Sequence, residues 1–216
     1  MTINTKTLAA IDIGTNAIRL FISNVEEYPT ETLFKKIAFL RVPIRLGEDV
    51  FTTGEIGQQK GKRLCETMQG FSYIMSAFNV ESYKAYATCA MREARNGKSV
   101  AEQIQKECDL NIEIISGTKE AETIFAGGMN EVVDDDKTYL YVDVGGGSTE
   151  VIVYSKSVKV EACSFPLGTV RMLNDAVDKE EMKHFKKWLK NITEKYTPDA
   201  IIGSGGNINK IHKLLN

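Results

Sequence analysis

The sequence predicts an α/β protein with two lobes that share one order of elements. Two strand–turn–strand segments, at residues 8–25 and 139–154, each carry an acid at the end of the first strand and glycine or hydroxyl residues in the turn. A third strand follows each segment, and helices and strands then alternate, as is typical of α/β sheets. We therefore expect a first lobe over residues 1–132 and a second lobe over residues 133–216.

Composition excludes several classes of protein. The chain has 216 residues, 43% apolar and 26% charged, which are ordinary values for a folded globular protein. The formal net charge of −2 gives no general attraction to nucleic acid or to an anionic membrane, and we expect neither as a partner. We find no signal peptide and no apolar run of membrane-spanning length. The four cysteines are widely spaced without a CxxC pair, which favours reduced thiols and a cytoplasmic location.

The first lobe opens with predicted strands at residues 8–13 and 17–25. Asp12 stands at the end of the first strand, and Arg19 lies in the second. The turn between them consists of Gly14, Thr15 and Asn16. Taken alone this is a common tight turn, but its recurrence in the second lobe indicates a binding role.

The remaining elements of the first lobe follow from hydrophobic periodicity and from capping residues. A third strand ends before Pro43, and Arg45–Glu48 is expected in a loop. The predicted elements are strand 31–42, a helix from Thr53 to Asn79, strand 80–88, a helix capped by Ser99 and running to Cys108, strand 111–115, and a helix from Ser116 to Met129.

Two residues of this lobe follow strands directly. Arg92 comes where strand 80–88 gives way to a helix, at the sheet edge where α/β proteins usually bind ligands. Its planar guanidinium suits phosphate oxygens. Glu120 opens the helix after strand 111–115 and is expected to face the same edge. An acid in a first helical turn is also expected simply because it complements the helix dipole.

The hairpin of the second lobe combines glycines, hydroxyls and acids. Asp143 ends its first strand and Glu150 begins its second. The turn consists of Gly145, Gly146, Gly147 and Ser148. Successive glycine amides can form an anion-binding concavity, and flanking carboxylates suit a metal-bound polyphosphate. A glycine hairpin with two solvated acids is the alternative reading.

The rest of the second lobe repeats the order of the first and then ends. Asp134–Asp136 is most simply a solvated connection. The predicted elements are strand 158–165, a short helix after Gly168 that contains Arg171, helix 178–195, strand 199–202, a glycine segment at 203–206 and helix 208–215. One strand and one helix of the first lobe have no counterpart, so we expect the second lobe to be incomplete at its C-terminus.

Two α/β lobes with facing phosphate hairpins resemble the architecture of actin, Hsp70 and sugar kinases. That resemblance implies two ribonuclease H-like lobes (the actin-like ATPase fold) with the ligand cleft between them. Within this superfamily the sequence is similar to the exopolyphosphatase/guanosine pentaphosphate phosphohydrolase (Ppx/GppA) family. The matching segments, in family order, are Ala10–Asn16 with Arg19, Arg45–Glu48, Ala87–Arg92, Ile112–Gly117 with Glu120 and Ala121, Val142–Glu150, Leu167–Arg171 and Gly203–Gly206.

The resemblance implies hydrolysis of terminal phosphoanhydride bonds, with orthophosphate released from inorganic polyphosphate or guanosine pentaphosphate. It makes Glu120 the general base, Arg92 a phosphate contact, and Asp143 and Glu150 the residues associated with Mg²⁺. It also implies that the protein can form a homodimer, as members of the family often do. The predicted phosphate-binding residues are Gly14, Thr15, Asn16, Arg19, Gly145, Gly146, Gly147, Ser148 and Arg171.

The catalytic helix departs from the family pattern at one position. The family usually has Glu-Glu-Ala-Arg where this sequence has Lys119-Glu120-Ala121-Glu122, so an acid replaces an arginine near the expected phosphate site. Two other functions stay open. A sugar or acetate kinase would need a substrate-binding segment that we do not find, and it would use an Asp base. A catalytically inactive phosphate- or nucleotide-binding regulatory protein would keep the turns without the reaction.

Overall fold

The computed structural model describes residues 4–126, 134, 136–156 and 158–215. The chain divides into two compact units, Met1–Ile115 and Ser116–Asn216. Each unit is built around one mixed β-sheet, and the units are described separately.

The first unit has a five-stranded sheet in the order β3-β2-β1-β4-β5. The β1–β2 and β2–β3 pairs are antiparallel, whereas β1–β4 and β4–β5 are parallel. Its elements are β1 (Asn4–Ile13), β2 (Ile18–Glu27), β3 (Thr32–Val42), α1 (Leu46–Thr53), α2 (Gln58–Ala77), β4 (Ser82–Ala87), α3 (Cys89–Glu93), α4 (Gly97–Cys108) and β5 (Glu113–Ile114).

One face of this sheet forms the core of the unit. Alternate strand residues such as Ile11 and Leu20 pack with the apolar stripe of α2, which includes Leu64 and Met68. Ile104 of α4 completes the same cluster. The apolar residues that recur at helical spacing along α2 are therefore core residues, as the periodicity predicts.

The sequence prediction is wrong in four places in this unit. Residues 46–53 form helix α1, because Leu46 and Val50 are one helical turn apart and both are buried. Thr53 therefore ends a helix, and α2 begins at Gln58. Ser99 lies inside α4, which begins at Gly97. Strand β5 is limited to Glu113–Ile114.

The second unit has a four-stranded sheet in the order β8-β7-β6-β9. The β6–β7 and β7–β8 pairs are antiparallel, and β6–β9 is parallel. Its elements are α5 (Gly117–Ala126), β6 (Thr138–Val144), β7 (Thr149–Ser155), β8 (Val158–Phe165), α6 (Thr169–Leu173), α7 (Lys179–Tyr196), β9 (Ala200–Ser204) and α8 (Gly206–Leu215).

Helices cover both faces of the second sheet. Ala121 of α5 is fully buried against Tyr141 and Ile152 on one face. On the other face the apolar side of α7 packs on the sheet, and the ring centroid of Phe165 lies 5.4 Å from that of Trp188. Helix α5 thus belongs to the second unit, whereas the boundary predicted between residues 132 and 133 assigns it to the first. Met129, its predicted end, lies outside the described residues.

From the first hairpin onward the two units share one order of elements, β-β-β-α-α-β-α, which extends the repeat predicted from the sequence. Helices α1 and α6 occupy the same place in this order. All four cysteines are free thiols, as predicted. No helix in the described part of the chain is long and apolar enough to cross a membrane.

Candidate active site

The glycine turn of the second unit, residues 145–148, is held from one side by the start of α6. The N–H of Gly145 donates to the carbonyl of Ser148 at 2.9 Å and closes the turn. The carbonyls inside the turn accept from the residues that follow Gly168. These bonds run from Thr169 N to Gly145 O (3.1 Å), from Val170 N to Gly146 O (2.8 Å), and from Arg171 Nε to Gly147 O (2.9 Å).

This arrangement determines where the amides of the turn point. In a planar trans peptide the C=O of one residue and the N–H of the next point in opposite directions. Because the three carbonyls face α6, the N–H groups of Gly146, Gly147 and Ser148 face away from it. Three successive amides on one side of a turn form an anion-binding concavity. The backbone of this turn can therefore bind an anion, and phosphate binding there stays a prediction.

Gly168 and Arg171 lie behind this turn. A Cβ on residue 168 would stand 2.3 Å from Gly146 O and 2.4 Å from Gly147 N, so a side chain at this position would collide with the backbone. Arg171 is 8% exposed and binds Gly147 through Nε. These contacts make Arg171 a support of the turn. Its role as a phosphate contact stays a prediction.

Four polar residues form one row across the second sheet, directly before the turn. Asp143 on β6 is directly opposite Glu150 on β7, so the two carboxylates are neighbours. Each outer strand adds a hydroxyl to this row, Ser164 opposite Glu150 and Ser204 opposite Asp143. Glu150 is only 2% exposed, and its Oε1 accepts a hydrogen bond from Ser164 Oγ at 2.8 Å. We call Ser164, Glu150, Asp143 and Ser204 the acid row.

Tyr141 is the neighbour of Asp143 on the same face of β6, two residues earlier along the strand. It is hydrogen-bonded to Ser204. Burial is the main cause that raises the pKa of the Tyr141 hydroxyl, and the carboxylates of Asp143 and Glu150 add to the rise. Gly205, the residue after β9, has a left-handed conformation (φ 95°), and a Cβ there would stand 2.7 Å from Asp143 Oδ1.

Helix α5 begins over the same face of the sheet. The Ser116 hydroxyl accepts from Lys119 N–H at 3.1 Å and caps the first turn, which contains Glu120. The next residue, Ala121, packs on Tyr141, which neighbours Asp143 along β6. The second unit alone therefore carries the predicted base, both predicted metal ligands and the glycine turn. Glu122, which departs from the family pattern, forms an ion pair with Lys159 at 3.2 Å.

The turn of the first unit is closed and held in a similar way. Gly14 N donates to Ala17 O at 3.2 Å. Thr15 O accepts from Gly47 N at 2.9 Å, and Asn16 O accepts from Arg45 N at 3.0 Å. The amides that follow these two carbonyls consequently face away from the segment that begins α1. Thr15 is buried and Asn16 is exposed.

Arg19 and Arg92 are both placed in the first unit. Arg19 is directly opposite Asp12 across β1 and β2, and its Nη1 forms an ion pair with Asp12 Oδ2. Arg92 lies in α3, immediately after β4, as the sequence predicts. Its Nη1 donates to Ile115 O at 2.8 Å, just beyond the end of β5. The guanidinium is therefore fixed at the carboxyl edge of the parallel strands.

The acid row fits a magnesium ion that keeps part of its hydration. No cluster of three or more His, Cys, Asp or Glu side chains with metal-binding geometry occurs among the described residues. Asp143 and Glu150 offer two carboxylates, and Mg²⁺ is usually held by one or two carboxylates together with water and phosphate oxygens. The two carboxylates of the acid row are therefore ligands of the kind and number that Mg²⁺ usually has in proteins.

Sequence reasoning did not connect Tyr141, Ser164 or Ser204 with the two acids, although Ser204 lies in the predicted glycine segment 203–206. Each of them is identified by its position opposite or beside an acid of the row. Tyr141 could have been found from the period-2 pattern of β6, since it precedes Asp143 by two residues. The two serines required the pairing register between strands.

A family model described as the Ppx/GppA phosphatase family matches residues 22–209. Among curated proteins, the chain is 32% identical over 168 residues to a "Bifunctional 3-dehydroquinate synthase/phosphatase" of Fusobacterium nucleatum, covering 76% of this chain and 25% of that protein. It is 28% identical to a "Putative exopolyphosphatase" of Haemophilus influenzae, covering 77% and 50%. It is 24% identical to "Exopolyphosphatase 1" of Mycobacterium tuberculosis, covering 96% and 63%. The chain thus spans about half the length of the exopolyphosphatases it matches.

Solved structures show the same architecture. An exopolyphosphatase from Cytophaga hutchinsonii superposes with a TM-score of 0.84 at 25% identity, covering 97% of this chain and 70% of that one. A Ppx/GppA family member from Aquifex aeolicus gives a TM-score of 0.73 at 27% identity, covering 94% and 67%. These matches confirm the predicted fold class, the α/β fold of the Ppx/GppA family, which the sequence resemblance places among the actin-like ATPases.

Proposed function

This chain belongs to the Ppx/GppA phosphatase family, and from that premise we propose that it hydrolyses terminal phosphoanhydride bonds and releases orthophosphate from inorganic polyphosphate. The observation that carries the proposal is the placement of Glu120, at the start of a helix packed on the sheet face that bears Asp143 and Glu150. Two relatives that bear the name exopolyphosphatase support the choice of substrate.

In the proposed reaction, the amides of Gly146, Gly147 and Ser148 bind phosphate oxygens at the end of the substrate. Glu120 orients a water molecule toward the terminal phosphorus and accepts its proton as the new P–O bond forms. The P–O bond to the rest of the polymer breaks, and the shortened chain leaves with the electron pair. Positioning and charge stabilisation supply most of the catalysis in such a reaction.

Asp143 and Glu150 are the residues that would hold Mg²⁺. When bound, the ion neutralises negative charge that develops on the phosphate oxygens. Ser148 lies in the glycine turn, two residues before Glu150, and is buried. We assign no further step to the metal.

The residues of the first unit keep the roles that the family resemblance implies. We propose Arg92, Arg19 and the turn from Gly14 to Asn16 as further phosphate contacts. Guanosine pentaphosphate is the second proposed substrate, because it ends in phosphoanhydrides of the same kind. A cytoplasmic location and a homodimer belong to the same proposal, supported by the reduced thiols and by the family resemblance respectively.

The test is phosphate release by the full chain, with Mg²⁺, from long-chain polyphosphate, guanosine pentaphosphate and ATP. We expect release from polyphosphate, and we expect Glu120→Gln to lower kcat by about 10²–10⁴-fold, the usual contribution of a general base. Binding of polyphosphate by Glu120→Gln should persist.

Glu122→Gln is the matched control, since it changes the same side chain two positions further along α5. It removes the ion pair with Lys159 and should leave kcat close to the parent value. Full activity in Glu120→Gln would exclude this residue as the base. Binding without release in the parent protein would instead favour the catalytically inactive alternative.

A further inference from the structure

The hydroxyl of Ser164 reaches the acid row from the neighbouring strand β8. We propose that Ser164 is a positioning residue that orients the Glu150 carboxylate for divalent-cation binding. This inference rests on the metal site of the proposed function. Its basis is the bond from Ser164 Oγ to Glu150 Oε1, 2.8 Å long, at a carboxylate that is 2% exposed.

A β-bulge places the two side chains opposite each other. The pairing of β7 with β8 shifts by one residue between Val153 and Tyr154. Beyond that shift, Glu150 is paired with Ser164. Continuation of the register at the hairpin end would have paired Glu150 with Cys163, whose side chain points to the opposite face. The bulge therefore brings a hydroxyl to the acid row.

The bond restrains a torsion that is otherwise soft. The last torsion of a glutamate side chain is broad, so an unrestrained carboxylate samples many orientations. A hydrogen bond to one oxygen fixes the carboxylate plane relative to Asp143, which is paired with Glu150 on its other side. Residues that orient a metal ligand typically change metal affinity by about 10–100-fold when they are removed.

A purely structural role predicts something different. A buried carboxylate requires hydrogen bonds whether or not it binds a metal. If Ser164 served only that need, Ser164→Ala would lower the free energy of unfolding and leave the metal affinity of the folded protein unchanged. Metal affinity is therefore the informative measurement.

The experiment titrates Mn²⁺, a spectroscopic substitute for Mg²⁺, into the full chain without substrate and follows free Mn²⁺ by electron paramagnetic resonance. We expect Ser164→Ala to raise the Mn²⁺ Kd by about tenfold or more. Ser164→Thr keeps a hydroxyl and suits a strand, so it should restore most of the affinity and also shows that position 164 tolerates change. In parallel, Ser164→Ala should raise the Mg²⁺ concentration needed for half-maximal phosphate release more than it lowers kcat at saturating Mg²⁺.

Ser155→Ala is the matched control. Ser155 lies on β7 at the far end of the hairpin and bonds Thr138 at 3.0 Å, so its loss removes a hydroxyl from the same sheet but not from the acid row. Its Mn²⁺ Kd should equal that of the parent. An unchanged Kd in folded Ser164→Ala, or no Mn²⁺ binding by the parent, overturns the inference. Mn²⁺ binding that depends on Ser164 in a protein that releases no phosphate supports the inference and contradicts the proposed function.

Discussion

Each sheet carries a row of polar residues across its strands, at the same distance in residues from the glycine turn. The two rows differ in charge. Asp12 and Asp143 each precede the first glycine of their turn by two residues. In the second sheet the partner of the aspartate is an acid, Glu150, whereas in the first it is Arg19. The full row of the first sheet, in strand order, is Arg41, Arg19, Asp12, Tyr86 and Glu113.

This difference assigns different chemistry to the two hairpins. The Asp12–Arg19 pair neutralises itself and needs no ion. Asp143 and Glu150 place two like charges directly opposite each other, so we expect a cation to bind more favourably here than at the Asp12–Arg19 pair. The same order of strand, turn and strand thus carries a charge-paired row in one unit and an acidic row in the other.

The turns are supported by different neighbours as well. A Cβ on Gly47 would stand 2.3 Å from the Cγ2 atom of Thr15, which is a side-chain atom. A Cβ on Gly168 would meet the backbone of Gly146 and Gly147 at 2.3–2.4 Å. The second turn is therefore packed against atoms that cannot rotate away, and its shape is the more strictly fixed.

Loss of one carboxylate from the acid row should have the largest effect. We expect Glu150→Gln to abolish the stabilisation of the protein by Mn²⁺, because one of two ligands loses its charge. For the parent, metal at a hundredfold excess over Kd stabilises the folded state by about 2.7 kcal/mol. The rise in the thermal unfolding midpoint on addition of Mn²⁺ measures this difference.

Arg19→Gln provides the comparison in the first row. Arg19 occupies the position that corresponds to Glu150, but it lies beside a single carboxylate. The thermal unfolding midpoint of Arg19→Gln should therefore rise with Mn²⁺ as in the parent. An equal loss of metal stabilisation in both variants would contradict the distinction between the rows.

Alanine at the two supporting glycines tests the second difference. We expect Gly168→Ala to lower the free energy of unfolding by about 1–3 kcal/mol, the usual cost of forcing an extra methyl group into packed structure. Gly47→Ala should cost less, because the atoms that the new methyl group meets belong to the side chains of Thr15 and Phe51, which can shift more readily than backbone. Urea unfolding of both variants measures the free energies, and a larger loss in Gly47→Ala would be inconsistent with the contacts.

Much of this comparison was accessible from the sequence. The two acids before the turns, the glycines and the order of elements follow from spacing and composition, because turns and strand ends have strong residue preferences. Helix α1 was missed, although the short helix predicted after Gly168 marks its place in the repeat. Alignment of the two lobes element by element would have predicted α1 from this short helix.

The third-strand members of the rows, Arg41 and Ser164, could not be read from the sequence, for a physical reason. The position of each depends on a β-bulge, one between Ile22 and Ser23 and the other between Val153 and Tyr154. A bulge inserts one residue on one strand, and a shift of one residue moves every later side chain to the other face. Counting back from the β2–β3 and β7–β8 loops therefore pairs Arg19 and Glu150 with the wrong residues of the third strand, whereas the pairs with Asp12 and Asp143 follow directly from the glycine turns.

The smallest expected effect concerns the pair that makes the first row neutral. In a double-mutant cycle of Asp12→Ala and Arg19→Ala, we expect a coupling free energy of about 0.2–1 kcal/mol, as for other exposed ion pairs. Both side chains are close to half exposed, at 44% and 45%, so water screens their attraction. The coupling should fall as salt is added. A coupling of several kcal/mol that ignores salt would mean that the pair is a buried structural element, and Arg19 would then be unsuited to turn toward a phosphate.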